Sequence, residues 1–403
     1  MLYRLDPVKQ SHLIFLVLVL CAIIGPLSID LFTPSLPALT EAFDTTPYMA
    51  QWTVSIFMLG FAISMLVVGP VSERFGNCRT LVGGYAIYLI ATLAILFTRS
   101  IEVMIAARLI QAIAGCFGTA LSRAIARDLY KGKNDVRILG MIGASLVVAP
   151  MVAPVLGGFL QELWGWQASF IFMLAIGVLT IVVVRLLPDE NKGNPDASFA
   201  DTLNGFSVLF RDRRYMVPAL TASLAFAGAF VFVVGAPFVL IGAFELSPKA
   251  YGAVFAFVMG AYILSSMNAG RITDKLGRKK ATNLSWTIML AGAAIAFGSA
   301  LLTDGQLWPG LALGLVVYEA GLGLFLPSCQ AKALSHLDQH AGTGSGLIFF
   351  LEMIIASGVS FIAGKMVLDN TLPLAGISLT MILLALALSR FQHSDAEPAP
   401  EAA

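Results

Sequence analysis

Gly69-Pro70-Val71-Ser72-Glu73-Arg74-Phe75-Gly76 and Gly270-Arg271-Ile272-Thr273-Asp274-Lys275-Leu276-Gly277 share one pattern: a glycine, an acid four residues on, a base next, and a second glycine two later. Each follows a long apolar run, and the second copy starts 201 residues after the first in a chain of 403. The pattern predicts a tight turn between helices, with glycine where a side chain would be strained and the acid placed to cap the following helix. Recurrence at half the chain length implies two duplicated halves.

Outward from these turns the chain is apolar almost throughout. Residues of the AVILMFWYC set make up 58% and DEKR only 12%, against about 25% charged residues in soluble domains, and the mean hydropathy is +0.84. A soluble fold is excluded on these grounds. Apolar stretches long enough to cross a hydrocarbon core recur twelve times, at roughly 13–33, 48–72, 79–98, 102–127, 138–161, 167–187, 215–243, 250–271, 280–302, 307–331, 343–365 and 371–390. The first follows Arg4 and Lys9 but is long and lacks a small-residue cleavage pattern, so it reads as a span and not a signal peptide.

The longest polar segment, 188–214, holds Pro188, Gly193, Pro195 and the run Arg211-Asp212-Arg213-Arg214. It reads as a linker between a six-helix half at 1–187 and another at 215–390. Residues 391–403 have the composition of a disordered tail. The fold expected is therefore all-α and integral to the membrane, with twelve transmembrane helices in two halves.

Lys and Arg orient such a chain. With the N-terminus in the cytoplasm, 21 of them lie on the cytoplasmic side, Arg99, Lys249 and Lys365 fall near outer loops, and Arg108 lies inside a span. Both termini are then cytoplasmic. Cys21, Cys78, Cys116 and Cys329 are far apart, and His12, His336, His340 and His393 fall at membrane edges or in the tail, so neither disulfide nor metal spacing is present. No metal, organic cofactor or nucleic-acid partner is expected; the partners are a small-molecule substrate, protons and the bilayer, with a monomer as the default state.

Ionisable groups inside spans are expensive and mark functional sites. They are Asp30, Arg108, Glu319 and Glu352. Glu319 and Glu352 each fall halfway through a span, where a carboxyl must face a cavity or a partner; a polar packing role is open for Glu319, beside Tyr318. Aromatic residues near them supply candidate substrate contacts: Trp52, Phe57 and Phe61 in the second span, Phe226, Phe230 and Phe232 in the seventh, and Phe349 and Phe350 before Glu352. As a set they suit a broad apolar pocket with few polar anchors, a better match to a lipophilic or amphiphilic compound than to a sugar phosphate. Pro154 with Gly157 and Gly158 predicts a kink and a close helix approach in the fifth span, relevant to gating if the halves rock.

The chain resembles the major facilitator superfamily, and within it the Bcr/CflA group of drug:proton antiporters. Ser28-Ile29-Asp30-Leu31-Phe32-Thr33-Pro34-Ser35-Leu36-Pro37 is similar to that group's first-helix signature, and the two glycine-bounded turns to the superfamily's cytoplasmic-loop motif, with Glu73 for the usual aspartate and Asn77-Cys78 for two bases in the first copy but Arg278-Lys279 in the second. Arg108-Leu109-Ile110-Gln111 resembles an R-x-x-Q motif. Gly140, Ala149, Ala153-Pro154 and Gly157-Gly158 have the spacing of an antiporter motif, and Ala341-Gly342-Thr343-Gly344-Ser345 is also typical.

The resemblance implies proton-coupled export across a bacterial inner membrane. It places the first and fourth helices beside a central cavity, where Asp30 and Arg108 could pair directly or through water, Asp30 carrying the proton and competing with substrate while Arg108 relays the change; a helix-capping or water-facing acid with a structural arginine is the alternative. Asp30, Gln111, Tyr318 and Glu352 join the aromatics as substrate contacts; Gly69, Glu73, Arg74, Gly140, Pro154, Gly157, Gly158, Gly270, Asp274 and Arg278 are the gating set. Export of an endogenous metabolite such as a purine, amino acid or siderophore is the alternative. No nucleophile or metal constellation supports an integral-membrane enzyme, and the two-half repeat argues against a channel.

Overall fold

A computed structural model describes residues 11–130, 135–188, 193–194, 199–335, 337, 341–366 and 370–391. It is all-α, and twelve of its helices are long and apolar enough to cross a membrane: His12–Ala42, Pro47–Phe75, Asn77–Phe97, Ile101–Leu129, Ile138–Trp164, Gln167–Val184, Arg213–Ala243, Pro248–Leu276, Arg278–Leu302, Trp308–Leu334, Gly342–Gly364 and Leu372–Ser389. They are called here the first to twelfth spans. The expected twelve are all present. The face carrying the first helix start and the last helix end is the terminal face; the opposite one is the distal face.

Both copies of the glycine-bounded turn adopt one conformation. Gly76 sits at φ 87°, ψ 152° and Gly277 at φ 77°, ψ 152°, a region that favours glycine. Their carbonyls start the next helix by accepting from Thr80 and Ala281. The acids do not occupy the cap positions expected of them: Glu73 and Asp274 belong to the last turns of the second and eighth spans, three residues before the caps, which are Gly76 and Gly277.

The segment 188–214, expected as a linker, lies partly within the described residues. It contains a helix, Phe199–Arg211, whose Phe206 and Leu209 are buried with Tyr215, Leu347 and Ile348. The rest of that segment at 189–192 and 195–198, and the tail from 392, lie outside the described residues.

Each half is tied together through the main-chain carbonyls of its first helix. Cys21, Ala22, Ser28 and Leu31 of the first span accept from Tyr85, Thr119, Arg108 and Ser169. In the seventh span, Pro218, Ala225 and Gly228 accept from Cys329, Tyr318 and Ser378. Interhelical hydrogen bonds of this kind replace the hydrophobic drive that lipid does not supply. Large apolar side chains such as Phe257 and Leu302 accordingly point outward, 78% and 88% exposed.

Candidate functional site

Local sequence chemistry sets Asp30 at a break in the first span. Pro34 has no N–H to give to the Asp30 carbonyl, which takes the Thr33 hydroxyl instead at 2.9 Å. The Ser35 amide bonds to Phe32, so the Leu31 carbonyl is left to Ser169 Oγ of the sixth span at 3.3 Å. The regular helix ends at Asp30, with a short turn Thr33–Ser35 and a second helix Leu36–Ala42 beyond it.

Arg108 is fully buried. Its Nη2 donates to the Ser28 carbonyl at 3.0 Å, Nη1 to Gln111 Oε1 at 2.7 Å and Nε to the Thr53 carbonyl at 3.3 Å. Gln111 in turn donates to Thr92 Oγ1 at 2.7 Å, and the Ser28 hydroxyl meets the Tyr88 hydroxyl at 2.8 Å. The guanidinium lies 4.1 Å from the ring centroid of Phe57, 4.8 Å from that of Phe32 and 5.7 Å from that of Phe170. One cation thus joins the first, second, fourth and sixth spans through planar donors and ring faces, and Gln111 extends the link to the third.

Direct pairing of Asp30 with Arg108, one of the two forms expected, is not present among the described residues. On a helix turning about 100° per residue, Asp30 lies about 200° round from Ser28. Ser28 faces Tyr88 inside the first half, so Asp30 faces away from it, towards Tyr251 of the eighth span, which lies near Asp30 and Thr33. Asp30 is 5% exposed and forms no ion pair among the described residues.

In the second half, Glu352 is 2% exposed and its Oε1 accepts from Gln330 Nε2 at 2.7 Å. Glu319 is 4% exposed, and Tyr262 of the eighth span lies near both carboxyls. Tyr318 is elsewhere. Its hydroxyl donates to the Ala225 carbonyl at 2.9 Å, and its ring is packed among Met289, Leu322 and Ile382. Successive helical residues diverge by about 100°, so Glu319 can face inward while its neighbour packs.

The aromatics divide by role. Phe57 is committed to Arg108, and Phe61 is buried. Phe226 and Phe230 form a ring pair at 5.4 Å. Phe349 is half-buried and lies 5.5 Å from the guanidinium of Arg123. Trp52 meets Phe361 of the eleventh span edge-on at 4.9 Å, a contact between the halves near the distal face.

Glycines of the fifth and eighth spans mark close approaches of main chain. Gly158 of the fifth span packs on the main chain of Pro248, Gly252 of the eighth on that of Pro154 and Val155, and Gly157 on the Leu31 carbonyl. Gly140 lies eighteen residues before Gly158, and Gly270 eighteen after Gly252. Eighteen residues is about five turns, so each shares its partner's helix face, yet neither has a neighbour within 4 Å. The facing sides of the fifth and eighth spans therefore meet at the distal end and part towards the terminal face. The fifth span runs unbroken through Pro150 and Pro154. At the terminal face, the Glu73 carbonyl accepts from Asn194, Gly193 rests on the main chain of Arg74, and Asn77 donates to Asp128 at 3.4 Å; Asp274 and Arg278 are exposed.

Sequence reasoning passed over Gln330, Tyr88, Thr92, Tyr251 and Tyr262 because it shortlisted charges. A polar side chain in an apolar span was the signal that finds them. A shallow groove of about 320 Å³ between the eighth and tenth spans is lined by apolar residues such as Val254, Trp308 and Val316, with exposed Phe257 and Leu313 at its mouth. It lies on the outer surface and holds none of the carboxyls.

A family model described as Major Facilitator Superfamily matches residues 18–360. Among curated relatives, the uncharacterized MFS-type transporter YdgK of Bacillus subtilis is 27% identical over 88% of this chain and 89% of its own. The bicyclomycin resistance protein homolog of Haemophilus influenzae is 24% identical over 91% and 92%, and the multidrug transporter MdfA of Yersinia pestis 25% over 86% and 85%. Among solved structures, the xylose transporter XylE of E. coli in a partially occluded inward-open conformation aligns with a TM-score of 0.73 at 15% identity, covering 96% of this chain and 99% of that one. The nucleoside transporter NupG aligns at 0.70 and 14%, covering 93% and 99%.

Proposed function

The chain belongs to the Major Facilitator Superfamily, a multi-pass membrane transporter of small molecules and not an enzyme, and from that premise we propose that it is a proton-coupled antiporter exporting lipophilic or amphiphilic compounds. The observation that carries this reading is the placement of Asp30, Glu319 and Glu352: all three are buried within spans, and none forms an ion pair among the described residues. A carboxyl so placed exchanges a proton with a cavity at lower cost than it holds a bare charge. Asp30 is the primary carrier, and the second-half acids receive the cationic part of a substrate or a second proton.

The lining supports the cargo class. Phe226, Phe230 and Phe349 offer apolar faces, while the donors of Arg108 are occupied by carbonyl oxygens and so do not offer a phosphate its usual fork. The names of the Haemophilus and Yersinia relatives point to drug-like cargo. In this reading the protein is a monomer in a bacterial inner membrane, with both termini and the terminal face cytoplasmic, and the parted ends of the fifth and eighth spans open inward. The gating set acts at the two ends of those spans and at the terminal-face ends of the second and ninth spans.

The test is reconstitution in vesicles with a pH-sensitive dye, comparing wild type with Asp30→Asn while adding chloramphenicol-like, bicyclomycin-like, cationic and purine compounds. Substrate-driven proton movement in the wild type that the variant lacks is the expected result. Transport without proton movement would sink the antiport reading.

A further inference from the structure

The distal seam between the halves is closed by few bonds across it. Gln51 Nε2 donates to the Ser360 carbonyl at 3.0 Å and Ser357 Oγ to the Ser55 carbonyl at 2.7 Å, joining the second and eleventh spans. Lys249 and Glu162 pair at 3.1 Å at its exposed rim. Tyr48, Trp52 and Phe361 form an aromatic plug above them.

The same seam concentrates unmet hydrogen-bonding capacity. Among the described residues, eight buried side-chain N or O atoms have no partner and less than 1 Å² of accessible surface, which leaves no water-sized space beside them. Six of the eight belong to Ser35, Gln51, Trp52, Gln161, Tyr251 and Ser360. Each lies where the halves meet. Gln51, Trp52 and Ser360 are in the contact of the second and eleventh spans. Gln161 is one turn beyond Gly158, the residue packed on Pro248. Tyr251 lies against the first-span turn that contains Ser35. The other two, Ser64 and Ser122, are in the second and fourth spans, and Ser64 shares the face of Gly60, which packs on Leu109 inside the first half.

A buried donor or acceptor without a partner forfeits its hydration and receives nothing in return. When the seam parts, water reaches all six groups together, whereas Ser64 and Ser122 stay where they are. We propose that the distal seam is built to be only just stable when closed, and that Ser35, Gln51, Trp52, Gln161, Tyr251 and Ser360 set the balance between its closed and open states. A seam of apolar groups of the same shape would stay shut. This inference requires alternation of access between two faces, but neither proton coupling nor a particular cargo.

The test places spin labels at Glu41→Cys and Gln306→Cys, exposed distal positions on the two halves, in the full chain with Cys78→Ser, and measures their distance distribution in nanodiscs. Ser360→Ala and Ser35→Ala each delete an unpartnered oxygen and no hydrogen bond. They are made alone and together, in the wild type and in a Gly158→Ala background, where a methyl against the Pro248 main chain weakens the seam. The expected result is a rise of about tenfold per group in the closed-to-open ratio, with slower turnover, while Ser64→Ala raises thermal stability without moving the ratio. An unchanged ratio in both backgrounds, or an equal shift from Ser64→Ala, overturns the proposal. Loss of proton movement alone would not, since that belongs to the antiport reading.

Discussion

The Arg108 guanidinium donates to the main-chain carbonyl of Ser28 at 3.0 Å and not to the carboxyl of Asp30 two residues further along the same helix. The cation therefore acts as a strut between helices of the first half, and the acid stays turned to the second half. Carbonyl oxygens and aromatic faces hold the cation, whereas the acid forms no ion pair among the described residues.

Replacing Arg108 by Lys removes the fork that reaches three oxygens at once. At least one carbonyl is left without a donor, and the loss expected is about 3 kcal/mol of stability. Denaturant or thermal melting in detergent measures it, and a variant as stable as the wild type would contradict the strut role.

Asp30→Asn behaves in the opposite way. With no ion pair to break, the amide is expected to leave stability within about 1 kcal/mol of wild type, while substrate-driven proton movement is lost. If the variant instead melts several degrees lower, Asp30 has a structural partner.

Gly158→Ala and Gly252→Ala drive a methyl into facing main chain and are expected to hold the distal seam apart, lowering turnover more than tenfold. Gly140→Ala and Gly270→Ala meet open space and should leave the melting temperature unchanged. Their turnover falls only if these two faces come together in the alternate state, so melting and transport assays on the same four variants map both ends of the cycle.

Gln330→Leu strips Glu352 of its 2.7 Å donor and is expected to cost about 1–3 kcal/mol, most of it recovered in the Gln330→Leu/Glu352→Leu double variant, where both partners are apolar. Export of cationic compounds is expected to fail in the double variant while neutral compounds still pass. Equal loss of both classes would remove Glu352 from cation recognition.

Much of the fold was legible because a bilayer imposes a crude and strict rule: spans must be long, apolar and helical. That is why all twelve spans emerged from composition. The two turns were legible because Gly76 and Gly277 hold a backbone conformation that favours glycine. Their acids lie in the last turn of the preceding helix and not at the cap position, since the sequence does not say which side of the glycine the helix ends on. The site was half legible. Asp30, Arg108, Glu319 and Glu352 stood out as charges in apolar runs, but their partners Ser28, Thr53 and Gln330 are uncharged and lie up to 80 residues away along the chain.

The sequence by itself determined the membrane architecture, the doubling of the chain and the short list of intramembrane charges, because each follows from solvent, spacing or steric limits that act locally. Only the tertiary structure decided that Arg108 binds carbonyls, that the Tyr318 hydroxyl binds the Ala225 carbonyl, and that the fifth and eighth spans meet at one end and part at the other. Those outcomes depend on which helix faces are brought together, and a helix face acquires its partner only when the bundle closes around it.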